Sequence, residues 1–174
     1  MAEAVQESGG GAGAEVVVED ERWETAGLEP LAARAVAATL DWLGRPGAEV
    51  VVLGCDDDRI AALNAEFRGK PRPTNVLSWP AVEPEPRAPG VRPEPPDVPE
   101  LGDIAIAFDT CTAEAAAQGK PFADHVTHLL VHAVLHLAGY DHGDEADAET
   151  MEEAERSILS GLGIADPYLD DGTR

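Results

Sequence analysis

The chain is predicted to be an α+β domain: a four-stranded mixed β-sheet with helices packed on it and one histidine-bearing helix at its centre. Three observations carry that expectation. Short apolar runs bounded by Gly, Pro or Asp recur four times, as strands do. Longer stretches between and after them repeat apolar residues every three to four positions, the period of a helix. The resulting order is β-α-β-α-β-β-α-α-α, with two strands in succession and three helices at the end, so strands and helices do not alternate strictly. A chain of 174 residues can be served by a single core.

Residues 1–13 are rich in Gly, Ala and Glu and are expected to be a disordered tail, with the domain spanning 14–168 and a short tail at 169–174. Val16-Val17-Val18 reads as a short strand. Leu28 to Leu43 reads as a helix, since Leu31, Ala35, Ala38 and Trp42 recur at helical spacing and Pro30 sits in the first turn, where its missing N–H is harmless. Arg45-Pro46-Gly47 breaks it. Glu49 to Leu53 is the second strand, bounded by Gly54. Asp56-Asp57-Asp58 complements the positive end of a helix that continues through Ile60, Leu63, Asn64 and Phe67. Asn75 to Trp79 is the third strand, stopped by Pro80.

Residues 81–99 are dominated by Pro and Glu without hydrophobic periodicity, so an exposed, extended loop is expected. Leu101 to Ala107 is the fourth strand. Thr110 to Gln118 is a helix ended by Gly119 and Pro121. Asp124 to Ala138 is apolar nearly all round and is expected to be a buried helix. The last helix, about Asp147 to Ser160, shows an inner stripe of Met151, Ala154, Ile158 and Leu162; Glu152, Glu153, Glu155 and Arg156 are expected to face water.

Composition sets further bounds. No apolar stretch is long enough to span a bilayer, and the N-terminus has no basic region followed by an apolar run, so no membrane partner is expected and the cytoplasm is the expected compartment. Cys55 and Cys111 lie in no ligand spacing and are expected to be reduced, buried thiols. The net charge of −22 runs against the basic surface of an ordinary nucleic-acid binder. Either the acid is confined to tails and outer helix faces, leaving a locally positive cleft, or the substrate is something else. Arg68, Lys70 and Arg72 form the densest basic cluster of the chain.

The chemistry concentrates in His132, His136 and His142. The first two, four apart on a helix, project from one face. Gly139 can end that helix in a left-handed turn and let the chain fold back, bringing His142 beside them. Three imidazoles with an open fourth position describe a catalytic zinc site, one Zn2+ per chain, although histidine ligation also suits nickel, copper or iron. His125 and His128 lie on the same helical line and are expected as supporting or wall residues, not ligands.

Three segments together resemble the YbeY family of bacterial endoribonucleases: Leu63-Asn64-Ala65-Glu66-Phe67-Arg68-Gly69-Lys70 followed by Pro73-Thr74-Asn75-Val76-Leu77-Ser78-Trp79-Pro80; Leu101-Gly102-Asp103-Ile104-Ala105-Ile106; and the histidine segment ending Gly139-Tyr140-Asp141-His142. The match covers roughly residues 15 to 168. The resemblance implies a single-strand-specific, zinc-dependent endoribonuclease acting in 16S rRNA 3′-end maturation and ribosome quality control. It implies zinc on His132, His136 and His142, and a cleft arginine at Arg68. Its partners would be single-stranded rRNA and the small ribosomal subunit, with ribosomal proteins as a further class. Two positions depart from the family: Ala133 stands where Gly is usual, and Asn75 where Asp is more frequent.

An ion held by three imidazoles can acidify a water molecule and polarise a phosphoryl oxygen. Arg68 could grip a phosphate in bidentate fashion, with Lys70 and Arg72 adding attraction that ignores base identity. Ser78 and Thr74 are candidate cleft residues, and Asp141 is either a carboxylate that orients a histidine or a turn former. Residue 133 is Ala, so the glutamate base of a helical His-Glu-x-x-His protease is missing. Besides the nuclease, the residues alone leave open a zinc hydrolase of a non-RNA substrate and a ribosome-associated assembly factor with structural zinc.

Overall fold

The structure, a computed structural model, describes residues 13–168, so the expected tails lie outside the described residues except for Gly13. Among the described residues, ten elements are present: β1 (Ala14–Val18), α1 (Arg22–Ala26), α2 (Leu28–Leu43), β2 (Glu49–Cys55), α3 (Asp57–Arg68), β3 (Val76–Pro80), β4 (Glu100–Ala107), α4 (Phe108–Gln118), α5 (Phe122–Leu137) and α6 (Glu145–Gly161). The four strands form one mixed sheet in the order β1-β2-β4-β3. β1, β2 and β4 run parallel, and β3 lies antiparallel on the outer side of β4, pairing Ser78 with Ile104. The α+β class, the four-stranded mixed sheet and the central histidine helix are thus as predicted.

The element the sequence pattern does not reveal is α1. Five residues cannot display a helical period, yet Trp23 is completely buried there. Its indole Nε1–H donates to the carbonyl of Cys55 at 2.9 Å, and its ring meets those of Phe108 and Phe122 at 5.2 and 5.7 Å. β2 also runs two residues past its expected end, through Gly54. A Cβ at Gly54 would lie 2.6 Å from Leu28 and 2.8 Å from Trp23, so glycine is what lets α1 and α2 approach the sheet. Pro80, expected to stop β3, is its last residue; an edge strand tolerates the missing N–H.

Two apolar layers result. The larger joins one face of the sheet (Val50, Val52, Ile104, Ile106) to α2, α5 and α6. The smaller lies under α3, with Ile60, Leu77, Ala105 and Ala107. Burying each large aliphatic side chain stabilises by roughly 1.5–3 kcal/mol, so α5, with residues on most of its circumference buried, is held on several sides. Residues 81–99 contain no helix or strand and are mostly exposed, as expected. They are nevertheless tied down: Arg87 donates to the carbonyls of Val91 and Gly139, Asp147 accepts from Gly90 N–H, and Arg45 donates to the carbonyl of Pro95. Cys55 and Cys111 are free and buried, and burial pushes the Cys55 thiol up to about 12. Among the described residues, no helix is long and apolar enough to cross a membrane.

Candidate metal centre and cleft

α5 places His132 and His136 one turn apart with ring centroids 4.6 Å apart. The helix ends as the glycine requires: Gly139 takes a φ of 108°, and the Tyr140 N–H returns to the carbonyl of Leu135 at 3.0 Å. Tyr140 is buried and its ring stands 6.3 Å from that of Trp42. This anchor swings the following residues back over the helix end, and His142 arrives 5.4 Å from His132 and 5.1 Å from His136, centroid to centroid. One potential ligand nitrogen from each ring can be chosen such that all three lie within 4.8 Å of one another. Burial first, and then the neighbouring His132 and His142, push the His136 pKa down to about 4, so its ring is neutral near neutral pH and has a lone pair to donate.

The trio opens into a cleft of about 470 Å³ between α5, β3 and the end of α3. Arg68, Lys70, Thr74, Asn75 and Ser78 line it, as does His128. Arg68, at the C-terminus of α3, donates from Nη2 to the carbonyl of Ser78 at 3.3 Å, which sets its guanidinium at the wall. Arg72 is not in the lining; its carbonyl accepts from Asn64 Nδ2 at 3.0 Å, and that bond shapes the loop between α3 and β3. Among the described residues, no Asp or Glu lines this cleft.

The acid missing from the cleft floor is found behind it. Glu155 of α6, expected to face water, is completely buried. Its Oε2 accepts from His132 Nδ1 at 2.6 Å, and its Oε1 accepts from His128 Nε2 at 2.8 Å and from the Tyr168 hydroxyl at 2.5 Å. Burial opposes the charge on Glu155, but the hydrogen bonds from His128 and His132, with lesser help from Tyr168, outweigh it and take the pKa down to about 2. The signal was in the sequence: Glu155 lies four residues after Met151 and three before Ile158, on the inner stripe itself. Its charge disguised its face.

His128 is thus a wall residue sharing a carboxylate with His132. His125 is not at the cleft; it is buried and bonded through Nε2 to Glu114 at 2.8 Å, and Glu114 in turn accepts from Asn75. Asp141 takes the turn role, accepting from Gly143 N–H at 2.9 Å.

Comparison with known proteins places the chain among relatives of one family. Residues 16–163 match the family model described as Endoribonuclease YbeY. Endoribonuclease YbeY of Paracoccus denitrificans is 70% identical over 159 residues, covering 91% of either chain. That of Cereibacter sphaeroides is 59% identical over 162 residues, covering 88% of this chain and 97% of the relative. The solution structure of TM1509 from Thermotoga maritima shares the fold, with a TM-score of 0.52 at 23% identity over 92% of this chain and 99% of the other.

Proposed function

The chain belongs to the endoribonuclease YbeY family, and on that footing we propose that it is a zinc-dependent endoribonuclease that cleaves single-stranded RNA in 16S rRNA 3′-end maturation and ribosome quality control in the cytoplasm. One observation carries the reading. Three imidazoles converge in a cleft walled by Arg68 and Lys70 and, among the described residues, by no carboxylate, in a protein of net charge −22. A polyanion is repelled by most of such a surface and admitted there.

The donor set fits a zinc ion. All three ligands are nitrogen, they converge from two sides, and His142 is exposed, so a fourth position can face solvent. His132, His136 and His142 would hold the ion, which supplies Lewis acidity: it polarises a phosphoryl oxygen and acidifies a water molecule. The rest falls to the chain. Arg68 lines the same cleft and can bind the phosphate through parallel N–H donors, holding charge that grows on its oxygens. Lys70 adds a point charge that attracts the backbone without reading bases. Ser78 positions Arg68 through its carbonyl and is a candidate contact for the sugar-phosphate backbone. Tyr168, which lines the same cleft, is a surface against which an unpaired base could stack. The peptidase reading is disfavoured by Ala133, buried where a helical zinc protease carries its glutamate. The acidic exterior suits basic ribosomal proteins as additional partners.

The test uses untagged protein. Elemental analysis is expected to give one zinc per chain. Cleavage of an RNA carrying the 16S 3′ end should disappear with chelator and return with zinc. His136→Ala should lose about 100-fold or more, beyond the 10–100-fold typical of a residue that only supports a ligand, while still co-sedimenting with small subunits. RNA cut at the wild-type rate by folded His136→Ala would falsify the assignment.

A further inference from the structure

We propose that Glu155 is the positioning residue of the metal centre: it fixes the tautomer and orientation of His132, and His128 and Tyr168 fix Glu155. The inference rests on the reading of the three histidines as a metal centre.

A buried carboxylate needs partners for its oxygens, and nothing in the packing of α6 demands one; its neighbours on the inner stripe are Met151, Ala154, Ile158 and Leu159. Glu155 nevertheless sits completely buried with three donors on its two oxygens. An ionised carboxylate only accepts. The His132 nitrogen facing it, 2.6 Å away, must therefore be Nδ1–H, which leaves Nε2 as the lone pair turned to the cleft. In the other tautomer the proton would occupy the nitrogen that has to bind the ion. The second oxygen is fixed independently, from α5 by His128 and from the C-terminal turn by Tyr168, so the carboxylate cannot rotate away from His132. The chain between α6 and Tyr168 is itself held, with Arg156 Nε 3.1 Å from Asp166. One carboxylate thus joins two helices and the C-terminal turn to a single ligand ring.

The test separates positioning from plain structural support. Zinc affinity is measured by competition with a chromophoric chelator at fixed neutral pH in the wild type, Glu155→Gln and Met151→Ala. Gln keeps the size of the side chain, but its amide presents a donor to one of the two rings. Glu155→Gln should bind zinc about 10- to 100-fold more weakly. Met151→Ala, on the same helix face, should lower the melting temperature and leave zinc affinity unchanged. Should Glu155→Gln not fold, long-range 1H–15N correlation of the metal-free wild type decides: His132 should carry its proton on Nδ1. Equal zinc affinity in the wild type and Glu155→Gln, or a His132 proton found on Nε2, overturns the proposal. A wild type that takes up no zinc at all overturns the metal reading beneath it, an outcome distinct from equal affinity in both proteins.

Discussion

Two clefts meet at His136, Arg68 and Ser78, and they differ in electrostatic character. The first, about 470 Å³, is lined by Arg68 and Lys70 and, among the described residues, by no acid. The second, about 450 Å³, runs beneath the Pro-rich loop and is lined by Glu83, Glu85, Asp141 and Asp147 as well as by Arg68 and Arg87. Arg87 is partly spent, since it pairs with Asp147 at 3.6 Å and donates to Gly139 and Val91. A single net charge of −22 therefore conceals a local contrast, and it is the local field that a phosphate meets within a Debye length of about 8 Å at physiological salt. The contrast gives the substrate a direction: the scissile phosphate is expected at the shared residues, with the flanking strand on the acid-free side.

The strongest way to break this comparison is to remove the cation both clefts share. Arg68→Ala should lower single-turnover RNA cleavage on the order of 100-fold, the scale seen when one preorganised donor to a developing charge is removed. Zinc content should be unchanged, because Arg68 is not among the three histidines that would hold the ion. A loss of less than about threefold, set against the 100-fold that the same argument gives, would mean that the phosphate does not sit at Arg68.

Lys70 and Arg72 sharpen it next. They are two residues apart, yet only Lys70 lines the acid-free cleft. Each phosphate contact to single-stranded nucleic acid contributes about 0.7 to the slope of log affinity against log salt. Lys70→Ala should reduce the slope by about that much, and Arg72→Ala should leave it in place. Binding isotherms over a salt series decide, and equal changes in the two variants would show that charge density in the loop matters more than position in the cleft.

That distinction was beyond the sequence. Lys70 and Arg72 are alike in type and differ only in where a turn of the loop puts them, which depends on the bond from Asn64 to the carbonyl of Arg72. The histidine trio was legible because its geometry is local: a helical i, i+4 pair, a glycine that can take positive φ, and a short return. Most strands and helices were legible for the same reason. The strand order β1-β2-β4-β3 is set by long-range pairing, and α1 is too short to show a period. Glu155 was misread because charge usually marks a solvated face; three donors from distant segments, none inferable from its own helix, are what allow it inside.

The smallest effect tests the acidic side. Glu85 lines the second cleft on an exposed stretch of the loop. If RNA leaves the shared residues along the acid-free side, Glu85→Gln removes only a distant, solvated repulsion. The expected result is a gain in RNA affinity of about twofold or less at low salt, fading at ~0.15 M as screening takes over. Cleavage rate at saturating RNA should not change. A gain well beyond that, persisting at ~0.15 M salt, would place the substrate along the second cleft instead, with the loop as its wall, and Arg68 would then be serving a strand that runs past Glu85 and Asp147 rather than past Lys70. The size of one change in affinity, read at two salt concentrations, therefore separates the two paths.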